Sequence, residues 1–406
     1  MNESIGNIDV VIVGQQAWDT DIGSNCKNIA IELSKTNRVL FVNSPLDRIT
    51  RLKGRGDVEV LRRINVIKKK ESGLMEVRHN LWVYYPDCMV ESINWINSET
   101  IFDFLNKRNN VKFAKSINIA LEALGFSDYM LFNDGEIFKG FYISRYLKPI
   151  LAIYYIRDYL IGVPYWKKHG TRLEPLLMKN SDLCFSNSQY LTIYCEKYNA
   201  NSYNIGQGTN VEDFSNFKSG KPGDLKPISS KIIGYVGALS SARLDIDILI
   251  HIATFFPSYS LVLVGSEDNE FRSSELHKMP NVFFLGQKPI YAVPSYIDCF
   301  DVCINPQLMN DITLGNYPRK IDEYLLLGKP VVATKTVSME IFKDHVYLAE
   351  TKEDYVHLIQ NAMISNCSDL IRRRIEFAGT HTWEKCVSDM FFHIQNTLSN
   401  KQSRSI

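Results

Sequence analysis

The chain has 406 residues, 45% hydrophobic and 22% charged, with 46 Lys and Arg against 45 Asp and Glu. That length allows two domains with full cores, and the composition is that of a globular protein. A net charge of +1 offers no global field to nucleic acid or to an anionic membrane, so no nucleic-acid partner is expected.

Asp9 to Gly14 reads as a buried strand ending in a glycine turn. Ser24 is placed to cap a helix over 25–33, whose stripe is Cys26, Ile29, Ala30 and Leu33. Residues 38–43 form the next strand, completing a Rossmann-like βαβ opening. Residues 46–72 carry nine basic residues interleaved with apolar ones and opposed by four acids. They read either as a membrane-surface patch or as a solvated insertion loop. A strand over 81–85, a helix over 99–125 and a strand over 128–133 follow. The strand 150–155 empties into Arg157 and Asp158, and the carboxyl end of a strand is the functional edge of an open α/β sheet. For Asp158 the alternative is a helix cap or a salt bridge with Arg157. A helix over 172–180, a strand and turn over 181–188, and a helix over 189–198 lead to a glycine-bearing crossing segment at 202–214.

Residues 215–230, rich in Ser, Gly, Pro and Lys, read as a linker between domains at 1–214 and 231–380. Ile232 to Gly237 is the first strand of the second domain, with a loop to Arg243 and a helix over 245–254. Strands over 259–265, 281–286 and 300–305 follow, with a short helix from Pro294 and the loop Gln287-Lys288-Pro289 between them. Then comes the stretch around which the chain is organised: a polar loop over 310–317, a short helix starting near Pro318, Gly328 as its stop, and the strand Val331-Val332-Ala333. Lys320 and Glu323 share one helical face near the N-terminal end. Free N–H groups and a partial positive charge suit that end to a phosphate. Lys320 can pair such a phosphate, and Glu323 can accept hydrogen bonds from ribose hydroxyls. A late strand over 346–349, helices over 353–362 and 370–378, and a last helix over 384–398 within a C-terminal segment 381–406 complete the chain. Among the eight cysteines, Cys299 and Cys303 have no His nearby, so buried thiols are expected rather than a zinc site. The polar start and the lack of a long apolar run point to a cytoplasmic protein with reduced thiols.

The pattern Pro318-x-Lys320-x-x-Glu323-Tyr324 before Gly328-Lys329-Pro330-Val331-Val332 resembles the donor-binding motif of GT-B glycosyltransferases of the retaining family 4 group. It is closest to the bacterial branch making capsular and teichuronic-type polysaccharides. The resemblance implies two Rossmann-like domains facing a cleft, 1–214 for the acceptor and 231–380 for the nucleotide-sugar donor, with a final helix crossing back onto the first. It implies transfer of a sugar from a nucleotide-diphosphate sugar to a glycan or lipid-linked acceptor with retention, without a metal or other cofactor. Arg243 and Lys320 would neutralise the leaving diphosphate, Glu323 would hold the ribose, and Asp158 would contact the transferred sugar, making Asp158, Arg243 and Lys320 the expected catalytic residues. Gly23 and Ser24 would face the donor phosphates, Gln287 and Lys288 would read the base, and Gly237, Ser240, Gly315, Asn316, Tyr317, Pro318 and Tyr324 would line the donor site. Acceptors of this class often sit at the inner leaflet, which favours peripheral membrane contact through 46–72.

Two departures from the family pattern matter. Its first glutamate falls at Gly315 here, with Asp311 or Asn316 as candidate substitutes, and an upstream arginine falls at Ala238. Two rival readings therefore stand beside the transferase: a nucleotide-sugar 2-epimerase on the same fold, and a non-catalytic binding subunit. Asp19-x-Asp21 and Asp245-x-Asp247 match a metal motif of the other glycosyltransferase fold in form only, since Asp245 stands where a helix starts.

Overall fold

The computed structural model describes residues 8–20, 24–217 and 220–403. The chain divides into two compact units, Met1–Gly206 with Cys386–Ile406, and Gln207–Lys385. The first unit contains strands β1 (Asp9–Gly14), β2 (Val39–Asn43), β3 (Leu46–Asp47), β4 (Leu74–Arg78), β5 (Leu81–Tyr84), β6 (Met89–Val90), β7 (Tyr129–Asp134), β8 (Leu151–Ile156), β9 (Leu183–Ser186) and β10 (Ser202–Asn204). Eight of them make one sheet in the order β10-β9-β8-β7-β1-β2-β5-β4, parallel except for the β4–β5 hairpin. The short strands β3 and β6 pair separately. Ser24 caps the helix Asn25–Leu33 by accepting from the Lys27 amide, and the expected stripe is buried. The last helix, Trp383–Ser403, enters this unit at Cys386. There His393 stacks on Tyr203 at 3.7 Å between ring centroids, and Lys401 pairs with Asp182 at 2.6 Å.

The second unit holds β11 (Ile232–Val236), β12 (Ser260–Val264), β13 (Val282–Phe284), β14 (Val302–Asn305), β15 (Val331–Thr334) and β16 (Tyr347–Ala349). All pair in parallel, in the order β13-β12-β11-β14-β15-β16. This is the dinucleotide-fold order, and it reverses between β11 and β14, where ligands of such sheets bind. Alternate residues explain why these strands read as unbroken apolar runs. Ile232, Val262, Val264, Cys303 and Ala333 pack on one face, and Ile233, Leu261, Leu263, Ile304 and Val332 on the other.

Several expectations need correction. Residues 46–72 are not a loop: helices Arg48–Lys53 and Val58–Ile67 occupy most of the stretch. The helix expected over 172–180 begins a turn or more earlier, as Pro164–Lys179, with Pro164 at its first turn. The stretch read as a linker supplies Leu225 and Ile228, both buried, to the core of the second unit. The short helix expected near Pro318 begins at Lys320. Among the described residues, no helix is long and apolar enough to cross a membrane.

Candidate functional site

The carboxyl edge of the second sheet is built on close approaches of backbone. Beyond β11, Gly237 has φ 142° and donates its N–H to the Val264 carbonyl at 2.9 Å. Beyond β12, Gly265 has φ 156°, and a Cβ there would overlap the carbonyl oxygen of Gly237. Both positions need glycine for conformation and for space. A Cβ on Gly237 would also come within 2.8 Å of the Lys320 ammonium. That ammonium donates to the Tyr235 hydroxyl and lies 4.1 Å from the centre of its ring. Tyr324, fully buried, accepts the Val236 N–H at 2.8 Å, so it rivets the helix Lys320–Leu326 to the end of β11. Tyr324 therefore anchors the helix from beneath the site. The net result is a partly exposed cation held over a bare backbone turn at the point where the strand order reverses.

One turn along the same helix, Glu323 pairs with Arg319 at 3.1 Å and keeps 17% of its side chain exposed. Its neighbour Asp322 is fully buried and accepts from the Tyr317 hydroxyl at 2.8 Å and from His381 Nδ1 at 2.7 Å. Burial raises the Asp322 carboxyl above its ordinary pKa, with His381 and Tyr317 pulling the other way. This cluster fixes the loop entering the helix to the segment before the last helix. Nothing in the sequence joined Asp322 to His381, which lie 59 positions apart. Asp322 also adjoins the apolar residues Ile321, Tyr324 and Leu325, so its burial follows the core face of the helix.

The two loops at the strand reversal are stitched together. Ser240 accepts from the Arg243 and Leu244 amides at 2.9 and 2.8 Å, and the Arg243 carbonyl accepts from Leu308 N–H at 2.9 Å. Asn310 reaches the Ala242 carbonyl at 2.9 Å and caps the turn that leads through Gly315, which is buried, to Asn316 and Pro318. The Arg243 side chain is exposed at this rim. Gln287 is exposed after β13, while Lys288 pairs with Asp224 at 2.7 Å and sits over Tyr296. Lys288 is thus engaged with the stretch that read as a linker. Asp245 caps the helix Ile246–Phe255 through the Ile248 amide at 3.1 Å, as its position suggested.

In the first unit, Arg157 bridges Asp158 at 3.6 Å and the fully buried Asp134 at 3.0 Å. The Asp134 charge raises the Arg157 guanidinium pKa. The Ser24 hydroxyl is committed to its helix cap. Gly23 lies outside the described residues.

Two units, each built on a largely parallel α/β sheet, make the two-domain GT-B fold of the solved structures this chain resembles. Residues 230–367, which lie within the second unit, match the family described as "Glycosyl transferases group 1". TuaH of Bacillus subtilis (strain 168), assigned as a teichuronic acid biosynthesis glycosyltransferase, is 29% identical over 119 residues. That match spans 29% of this chain and 30% of the relative. Sucrose-phosphate synthase from Thermosynechococcus elongatus superposes with a TM-score of 0.68 at 14% identity, covering 97% of this chain and 100% of its own. HepE of Anabaena in complex with UDP gives 0.65 at 14% identity, covering 96% and 100%.

Proposed function

We propose that this protein transfers a hexosyl group from a nucleotide-diphosphate sugar to a glycan or lipid-linked acceptor in cell-surface polysaccharide synthesis. The observation that carries the reading is the Lys320 ammonium fixed against Gly237, with Glu323 one turn on. Lys320 and the exposed Arg243 supply two cations for the leaving diphosphate, so charge developing on it needs no metal. Glu323 keeps carboxylate surface free beside Arg319 for the ribose hydroxyls. Uridine diphosphate is the first candidate leaving group, since HepE binds UDP. Transfer with retention places the acceptor on the face the diphosphate leaves, where a phosphate oxygen takes the acceptor proton. A cytoplasmic site of action with peripheral contact at the inner membrane face completes the proposal.

The test is a titration of the nucleoside diphosphates and their sugars, UDP first, into the wild type, Lys320→Ala and Glu323→Ala, read by calorimetry and by thermal shift. A ligand at a hundred times its dissociation constant stabilises a fold by about 2.7 kcal/mol, a shift that is readily measured. Losing a charge-assisted contact of about 1.5–3 kcal/mol lowers affinity roughly tenfold or more in each variant. Turnover in excess chelator tests metal independence, and the anomeric configuration of the product tests retention. If no nucleoside diphosphate shifts the wild type, the transferase reading fails and the binding-subunit reading replaces it.

A further inference from the structure

The second unit contains a cavity of about 160 Å³ that takes no part in the nucleotide site. It sits between the turn after the short helix Val337–Phe342, the entry to β16 and the helix Ser368–Gly379. The entry to β16 belongs to the amino edge of this parallel sheet, opposite the carboxyl edge where Gly237 lies.

The lining is basic. Lys343, Arg373 and Arg374 contribute to it with His345 and Tyr347, and Asp344 is its one acid among the described residues. Lys343 meets Glu340 at 2.9 Å and Arg373 meets Asp369 at 2.8 Å, but all four side chains are between 46% and 64% exposed. Ion pairs so exposed hold weakly, and each cation can turn to an incoming anion. Asp369 also serves Arg372 at 2.7 Å, so one carboxylate is shared by two guanidinium groups. Asp344 is exposed, and water and salt screen its charge.

Arg374 differs from these surface cations, being only 3% exposed. Its Nη1 donates to the Gly328 carbonyl at 3.1 Å and to Asn366 Oδ1 at 2.7 Å, and the Tyr347 phenol lies beside it. All three partners are uncharged, and among the described residues no carboxylate pairs with Arg374. Burial lowers its pKa in consequence. The Gly328 carbonyl follows the end of the helix Lys320–Leu326, where a cation answers the helix dipole. That role occupies one nitrogen of a fork with five N–H donors. A guanidinium this deeply buried is ordinarily matched by an anion. Next to it, His345 is held by stacking on Phe377 at 4.1 Å between ring centroids. Burial lowers the His345 pKa, and Arg374 and Arg373 act in the same direction against Asp344. The neutral imidazole adds a polar group to the lining without a charge of its own.

Size selects the ligand. At about 30 Å³ for each water, the cavity has room for about five waters. A tetrahedral oxyanion fits that space and a nucleotide does not. A planar guanidinium fork matches two oxygens of such an ion. We infer that this cavity binds a phosphate group, free or at the end of a small phosphomonoester, with Arg374 at its base and Arg373 and Lys343 at its rim. Nothing in the site depends on nucleotide binding at the opposite edge.

Calorimetric titration of the full chain tests the inference, with inorganic phosphate and glycerol 3-phosphate as probes and chloride at matched ionic strength as the comparison. The titrations are run on Lys320→Ala, so that phosphate drawn to that ammonium at the carboxyl edge is not counted. In this background Arg373→Ala weakens phosphate about tenfold or more. Arg373→Lys recovers part of that loss, and Arg374→Gln abolishes the heat. Lys335, paired with Glu350 outside the lining, is the control, and Lys335→Ala binds phosphate as before. Arg373 is exposed, so Arg373→Ala keeps the fold and decides the question even where Arg374→Gln does not fold. Binding of neither probe beyond that of chloride, equal binding to Arg373→Ala, or an equal loss in Lys335→Ala overturns the inference. A stronger response to glycerol 3-phosphate assigns the phosphate to an organic ester, and a stronger response to inorganic phosphate assigns it to the free ion.

Discussion

Glu174 lies fully buried on the helix Pro164–Lys179, between the hydroxyls of Tyr154 at 2.7 Å and Tyr194 at 3.1 Å. Burial pushes its pKa from an ordinary 4.5 up to about 7, although both hydroxyls act to lower it. The folded protein thus holds a proton on Glu174 that the unfolded chain has released. The stability this confers is full below pH 4.5 and fades as pH rises through about 7. The size is on the order of 3 kcal/mol. Glu174→Gln keeps the shape and removes the titration. Wild-type stability relative to this variant should therefore fall between about pH 4.5 and 7 and level off above, as read from denaturant midpoints, and parallel curves would show that Glu174 is ionised in the fold. Asp322 makes a second prediction at this scale. It is fully buried, with both oxygens held by Tyr317 and His381, so Asp322→Ala leaves two polar partners stranded. A loss of about 1–3 kcal/mol is expected, together with weaker nucleotide binding, because the loop carrying Pro318 is no longer fixed. Lys320→Met differs in kind: nucleotide binding falls while the thermal midpoint stays.

Among the elements, the glycine turns after β11 and β12 couple stability to site shape. Gly265→Ala puts a Cβ onto the Gly237 carbonyl at a φ of 156°. Such strain costs about 1–3 kcal/mol, and relief requires the Gly237 turn to move away from Lys320. Lower thermal stability and weaker UDP binding should appear together in this variant. Gly223→Ala is the control, since nothing lies within 4 Å of a Cβ there. The same elements show what was legible in the sequence. Parallel strands buried on both faces are apolar without a break, so β1, β11, β12 and β14 stood out. The Lys320–Glu323 face was legible because both residues sit within one turn of a helix between two strong strand signals. The front half of the helix Pro164–Lys179 was hidden because its PYWKKHG stretch carries no apolar periodicity, and it buries His169 and Gly170 in place of aliphatic residues. Leu225 and Ile228 were overlooked because Pro, Gly and Lys dominate around them, although both reach the core. Contacts between distant segments, Asp322 with His381 and Lys288 with Asp224, left no local trace.

At the scale of the molecule, a net charge of +1 supplies no general attraction to a membrane. Any such contact must come from a local surface. Of the nine basic residues in 46–72, Arg48 is taken by Glu91, Arg63 by Asp19, and Arg62 lies over Tyr85. Arg51, Lys53, Arg55, Lys68, Lys69 and Lys70 remain exposed. Beside them the two short helices expose Ile49, Leu52, Val58 and Leu61, between 43% and 77%. Apolar side chains flanked by cations are the composition of a surface that lies against anionic lipid. Each cation near such a surface contributes about 1 kcal/mol, so replacing Arg51, Lys53 and Arg55 with serine should cost about 3 kcal/mol, or roughly a hundredfold in partitioning. Cosedimentation with vesicles of mixed phosphatidylglycerol and phosphatidylcholine measures this, with pure phosphatidylcholine and a salt series beside it. Screening weakens the contact as ionic strength rises. Leu52→Ser and Val58→Ser separate the apolar share, since their loss persists at high salt. Equal sedimentation of wild type and triple variant would mean that these helices are only solvated.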